Sequence, residues 1–146
     1  MTFRTDIINR MSENEATISY FVNWPVANDE LNGLFGVSWH KHEYRDFQPV
    51  IQRNLAHVCA YHSTILIGFV NLAWDGGIHA FVLDTTIHPD FRRRGIGQQL
   101  VHRTIDVARQ KAIAWVHVDY ESHLRSFYED CGFKPTSAGL LNINLT

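Results

Sequence analysis

Residues 83–100 read Leu83-Asp84-Thr85-Thr86-Ile87-His88-Pro89-Asp90-Phe91-Arg92-Arg93-Arg94-Gly95-Ile96-Gly97-Gln98-Gln99-Leu100. The run from Ile78 to Ile87 is strand-like, and it ends at His88-Pro89 because the residue before a proline avoids helical angles. From Gly97 to Lys111 the positions Leu100, Val101, Thr104, Ile105 and Ala108 form one stripe, while His102, Arg103, Asp106, Arg109 and Lys111 face away, which predicts a helix. Ala114 to Val118 reads as a strand again. Strand, glycine loop, helix and strand make a crossover whose two strands run parallel with a right-handed connection.

Upstream, Ile18 to Trp24 suits a strand stopped by Pro25, where the ladder loses a donor. Asn28 or Asp29 caps a helix bearing Leu31, Leu34, Phe35 and Trp39, and a second short helix follows over 47–54. His57 to Tyr61 and Ile65 to Trp74 read as strands joined near His62-Ser63, with a further turn at Asp75-Gly76-Gly77. Short connections make these strands antiparallel neighbours. Downstream, Ser122 caps a last helix with Leu124, Phe127, Tyr128 and Cys131, and Gly132 sits where a left-handed terminating residue belongs. Residues 133–145 supply a final strand or hairpin, and residues 1–16 form an arm outside the core. The predicted fold is α/β of the α+β type: a mixed, mostly antiparallel twisted sheet with a central parallel unit and helices on both faces.

The 146 residues suit one domain, with 45% hydrophobic and 19% charged residues, as in ordinary folded proteins. A net charge of -2 argues against a general nucleic-acid binder, since such proteins carry excess Lys and Arg. Two cysteines make no disulfide framework, and no run reaches the roughly 18 apolar residues of a membrane span. The start lacks a secretion signal's apolar core, so the expected location is cytoplasmic.

A diphosphate needs several backbone N–H groups converging and close approach by the chain, which glycine permits. Gly95 and Gly97 stand between a strand and a helix start, where unpaired N–H groups and the helix dipole favour an anion. Arg92, Arg93 and Arg94 add positive charge. Two glycines alone suit a plain tight turn with solvated arginines equally well. The loop lacks the lysine of G-x-x-x-x-G-K-S/T, and Leu100 stands where a dinucleotide fingerprint has its third glycine.

Arg92 to Gly97 matches Q/R-x-x-G-x-G/A, the signature of the GCN5-related N-acetyltransferases (GNAT). The resemblance extends over Leu83 to Pro89, similar to that family's fourth strand and its exit, and over Phe127-Tyr128-Glu129-Asp130-Cys131-Gly132-Phe133, similar to its late F-Y-x-x-x-G-F segment. The resembling core spans residues 78–134 of a single domain over 1–146. One departure stands out: an asparagine often precedes the family's late tyrosine by seven positions, and here that place holds Glu121.

The resemblance implies transfer of acetyl from acetyl-CoA to a primary amine of a small molecule or peptide, by direct attack in a ternary complex and with no metal. It implies coenzyme contacts at Thr85, Thr86, Ile87, Arg92, Arg93, Arg94, Gly95, Ile96, Gly97 and Gln98. Tyr128 takes the general-acid position, protonating a thiolate whose free thiol titrates near pH ~8.5. Asp84 is the candidate base, a structural strand-end carboxylate being the competing reading. Trp39, Trp74, Asp119 and Glu121 are candidate acceptor contacts, with core packing the competing reading for the tryptophans and loop charges beside a Ser122 cap the competing reading for the acids. Members of that family are commonly homodimers, so self-association is a further expectation, whereas nucleic acid and membrane are not expected partners. A non-catalytic acyl-CoA sensor or interaction module is the alternative that keeps the cradle without turnover. Nine histidines show no metal-ligand spacing beyond His40-Lys41-His42. His79 and His88 rank behind Asp84 as proton relays, and Cys131 reads as core.

Overall fold

The computed structural model describes residues 17–145, so the predicted arm over 1–16 lies outside the described residues. Its elements are β1 (Ile18–Val22), α1 (Asn28–Ser38), α2 (Gln48–Arg53), β2 (Ala56–His62), β3 (Ile65–Trp74), β4 (His79–Ile87), α3 (Ile96–Gln110), β5 (Trp115–His117) and α4 (Arg125–Asp130). The sheet has strand order β1-β2-β3-β4-β5. The first three pairings are antiparallel and β4 with β5 is parallel, as the crossover around α3 requires.

Strand alternation divides the core in two. On one face Val58, Ala60, Val70, Leu72, Ala80 and Val82 pack against Ile96, Leu100, Val107 and Ala108 of α3. On the other, Cys59, Tyr61 and Phe69 meet Leu31, Leu34 and Phe35 of α1. Both faces of β2 and β3 are therefore dry, which is why these strands read as nearly unbroken apolar runs. Fully burying a side chain such as Leu100 contributes roughly 1.5–3 kcal/mol, so α3 is held by its stripe.

Several expectations are corrected. The N-cap of α1 is Ala27, because the Glu30 carboxylate reaches back to accept from the Ala27 N–H at 2.9 Å, while Asn28 Oδ1 accepts from the Phe47 N–H at 3.0 Å. On α3, Val107 belongs to the buried stripe. Arg103 does not simply face water: its guanidinium lies 4.5 Å from the centre of the Tyr20 ring. Ser122 caps no α-helix; it opens a 3-10 turn over Ser122–Leu124 with no side-chain cap bond, and α4 starts at Arg125. Gly132 has the expected left-handed angle, φ 100°. The final strand over residues 133–145 does not form; the stretch is irregular apart from a 3-10 turn at Ile143–Leu145. A strand exists only where a sheet edge pairs with it, and among the described residues no edge takes up that segment.

Candidate active site

The site begins with a register fault in β4. Asn71 faces Leu83 and Phe69 faces Thr86, so Asp84 and Thr85 together oppose the single residue Val70. Asp84 takes φ 57°, left-handed backbone that aspartate tolerates better than most residues. A bulge of this kind bends the strand and re-aims side chains. Beyond it β4 has no paired strand on its far side among the described residues, because β5 pairs only with residues His79 to Phe81. The parallel strands part there, and a cleft of about 1380 Å³ opens, walled by Asp84 to Ile87, the start of α3, and the segment from Asp119 to Tyr128.

One end of the cleft is electropositive. Arg92, Arg93, Gly95, Ile96, Gly97 and Gln98 line it. Gly95, the N-cap of α3, is left-handed and carries no capping side chain, leaving the first N–H groups of a 15-residue helix to be satisfied by a ligand or solvent. A side chain at Gly95 would meet nothing within 4 Å, so glycine there answers to its φ of 76°. Gly97 differs: an added Cβ would lie 3.0 Å from Phe127 Cε2 and 3.1 Å from Phe127 Cζ. Its missing side chain lets α3 and α4 touch. Arg94, expected beside these residues, is outside the cleft lining and places its guanidinium 5.2 Å from the centre of the Phe91 ring. These donors suit an anionic group such as a diphosphate: the helix start is open and positively charged, and Gly95 is free of side-chain obstruction.

Asp84 and Tyr128 both line the cleft. Burial pushes the Asp84 carboxyl above its usual range, and Arg45 pulls it partly back from 3.9 Å. Arg45 gave no signal in the sequence; its guanidinium is fixed 4.5 Å above the Phe47 ring and 5.9 Å from that of Phe35, both packed in the α1 core. Tyr128 stacks on Tyr120 at 5.1 Å. Burial raises its phenol above the usual value, while Thr85 draws it the other way. The approach falls short of a formed hydrogen bond, and Thr85 Oγ1 is buried without a partner.

Of the candidate acceptor contacts, Trp39, Asp119 and Glu121 line the cleft. The Trp39 indole N–H donates to Thr86 Oγ1 at 3.0 Å, and that hydroxyl donates to the Asp84 carbonyl at 2.9 Å, so Trp39 braces the bulge. Trp74 is not there: it pairs with Ala80 near the opposite end of β4, and strand length separates it from the bulge. Neither His79 nor His88 lines the cleft. His79 Nδ1 lies 2.8 Å from His117 Nε2, and His88 Nδ1 accepts from the Asp90 N–H at 3.1 Å. Tyr120, His123, Leu124, Phe127 and Leu140 line it too; only the strand-then-acid pattern at residues 114–121 hinted at that wall. Among the described residues no group of three or more His, Cys, Asp or Glu could hold a metal ion, and no helix is long and apolar enough to cross a membrane.

Comparison with known proteins agrees with this geometry. A match to the acetyltransferase (GNAT) family covers residues 24–133. An uncharacterized N-acetyltransferase, ycf52, of Porphyra purpurea is 38% identical over 71 residues, 49% of this chain and 41% of that protein; the matched stretch spans under half of that relative's length. Among solved structures, an acetyltransferase of Trypanosoma brucei superposes with TM-score 0.73 at 18% identity, over 86% of this chain and 99% of that one. A Bacillus subtilis acetyltransferase in complex with CoA superposes with TM-score 0.67 at 18% identity, over 83% of this chain and 79% of that one. With the matched region spanning α1 to α4 and the glycine loop at the start of α3, the chain belongs to the acetyltransferase (GNAT) family.

Proposed function

We propose that the protein transfers an acetyl group from acetyl-CoA to a primary amine of a small molecule or peptide, by direct attack with both substrates bound. The observation that carries this reading is that one cleft is lined both by the uncapped start of α3 and by Asp84 and Tyr128. The coenzyme's diphosphate would be held by the N–H groups of residues 95–98 with Arg92 and Arg93, and its arm by the free edge of β4 at Thr85 to Ile87. The thioester then lies beside the bulge.

Asp84 takes the proton that the incoming ammonium must lose. A carboxyl raised by burial is a better base near neutrality than an ordinary one. The amine nitrogen bonds to the acetyl carbon, the carbon–sulfur bond breaks, the Tyr128 hydroxyl gives its proton to the departing sulfur, and the second proton that the nitrogen sheds on becoming an amide restores the phenol. Burial keeps that phenol protonated across the physiological range, so the donor is always loaded. Asp119 and Glu121, which line the same cleft as Asp84, favour an acceptor that arrives as a cation. The two free cysteines, both buried, suit a cytoplasmic enzyme acting as one domain.

Thiol release from acetyl-CoA, followed with a panel of amines and with Asp84→Asn and Tyr128→Phe variants, tests this. Release that depends on an amine and on both residues is the expected result. Coenzyme binding with no release for any amine would make the protein a sensor instead.

A further inference from the structure

Beside the cleft, one arginine is fixed in place with its donors unused. The Arg45 backbone is held by Asn32, a residue only 8% exposed. Asn32 Oδ1 accepts from the Arg45 N–H at 3.0 Å, and Asn32 Nδ2 donates to the Arg45 carbonyl at 2.8 Å. The same Oδ1 lies 2.8 Å from His42 Nε2, and the His42 ring stacks on Phe35, so both ends of the segment 42–45 are pinned to the α1 core. The guanidinium is steadied in turn by the face of Phe47. Among the described residues it donates no hydrogen bond; its ion pair with Asp84, at 3.9 Å, is longer than one.

This arrangement contributes little to the fold and works against the base. The Arg45 and Asp84 side chains are 50 and 29% exposed, and ion pairs open to solvent contribute only about 0–1 kcal/mol. The guanidinium also pulls the Asp84 carboxyl down, against the burial that suits it to proton abstraction. What the pair does present is a fixed positive charge next to a fixed negative one. Asp84 lines the cleft and Arg45 does not; Arg45 stands one ion-pair distance beyond Asp84, half open to solvent.

We infer that the acceptor is a free α-amino acid, its ammonium set against Asp84 and its carboxylate against the Arg45 guanidinium. The inference rests on the acetyl-transfer reading of the cleft and narrows its acceptor. An arginine fork meets a carboxylate with two parallel N–H···O bonds, and none of the Arg45 N–H donors is engaged in another hydrogen bond. A phosphate monoester would bring about 1.5 to 2 negative charges toward Asp84, Asp119 and Glu121. A single arginine would have to meet them, because Arg92 and Arg93 stand at the diphosphate end. A peptide amine has a neutral amide where the amino acid has its carboxylate. Asp84 takes the ammonium proton as before, and the products are an N-acetylamino acid and the free thiol of CoA.

Thiol release from acetyl-CoA, measured with α-amino acids and with the matching amines that lack the carboxyl group, tests this. In the unaltered protein kcat/KM for the amino acid should exceed that for the amine by roughly 10- to 100-fold, the worth of a hydrogen-bonded charge pair. Arg45→Met keeps an apolar stem on the Phe47 ring and should erase most of that preference, while Arg45→Lys should restore part of it. The acid-to-amine ratio isolates carboxylate recognition, because the effect of Arg45 on the base alters both acceptors alike. Differences in amine pKa weigh equally on every variant. An unaltered protein that turns over the amines better than the amino acids overturns the proposal, and so does a ratio that Arg45→Met leaves unmoved. In either case the thiol released still supports acetyl transfer. No release with any amine overturns the acetyl-transfer reading and this inference with it.

Discussion

At Asp84 two demands meet on one residue. The bulge holds it at φ 57°, and burial raises its carboxyl despite Arg45. Asparagine tolerates the same left-handed angle, so Asp84→Asn removes the charge and leaves the backbone alone. It should lower kcat/KM on the order of 10²- to 10⁴-fold, the usual worth of a general base. The same substitution should stabilise the fold at neutral pH. A carboxyl whose folded value lies above its unfolded one, near 3.8, favours folding below that value and loses this contribution as pH rises through the folded value. The melting temperature of the Asn variant should therefore exceed that of the unaltered protein at pH 7, and the two should converge in acid. Arg45→Met removes the guanidinium that pulls the carboxyl down, so the acidic limb of the kcat/KM profile should move to higher pH for every acceptor. An unmoved limb would separate Arg45 from the base. Tyr128→Phe should lower kcat by about 10²-fold while calorimetric affinity for CoA stays nearly constant; unchanged turnover would remove the acid assignment.

At the scale of elements, the glycine loop and α3 answer to different neighbours. Gly95 serves a left-handed turn, whereas Gly97 serves the approach of α4, because a methyl there would press on the Phe127 ring at 3.0 Å. Gly97→Ala should cost roughly 1–3 kcal/mol by overpacking, or a fall in melting temperature of some ~2–4 °C per kcal/mol for a chain of this size. A Gly97→Ala/Phe127→Leu double variant should recover part of that loss, which a purely phosphate-related role for Gly97 would not produce. Elements with a strong period were legible in the sequence: α3 through Leu100, Val101, Thr104 and Ala108, and β2 to β4 through their apolar runs. The bulge at Asp84 and Thr85 was not, because register is a property of two strands and β4 alone cannot reveal that Val70 faces two residues. The cap of α1 was misplaced for a similar reason: Glu30 reaches back to Ala27, and Asn28 is occupied by Phe47, 19 residues away in sequence. Arg45 was invisible because only the fold brings a loop guanidinium to a strand carboxylate.

For the whole molecule, the parting of β4 from β5 decides where a ligand can act on stability. The cleft separates the sheet and α1 from the segment carrying Asp119, Tyr120 and α4, and the start of α3 lies between them. A ligand spanning it would tie these parts together and bind only the folded state, so its free energy adds to that of folding. At a concentration one hundred times its Kd, the added stability is about 2.7 kcal/mol, a rise in melting temperature of some ~5–10 °C at ~2–4 °C per kcal/mol. CoA should give nearly the same rise as acetyl-CoA, because in the proposed binding mode the diphosphate end would make most of the polar contacts and the acetyl group few. Replacing Arg92 and Arg93 with alanine should shrink both rises together and make the remainder less sensitive to salt, since fewer exposed charges then attract the ligand. Tyr128→Phe should leave them in place, because the role proposed for the phenol is toward the departing sulfur and not the diphosphate. A melting temperature unmoved by either form of the coenzyme would mean that the start of α3 binds no diphosphate, and the cleft would then need another ligand.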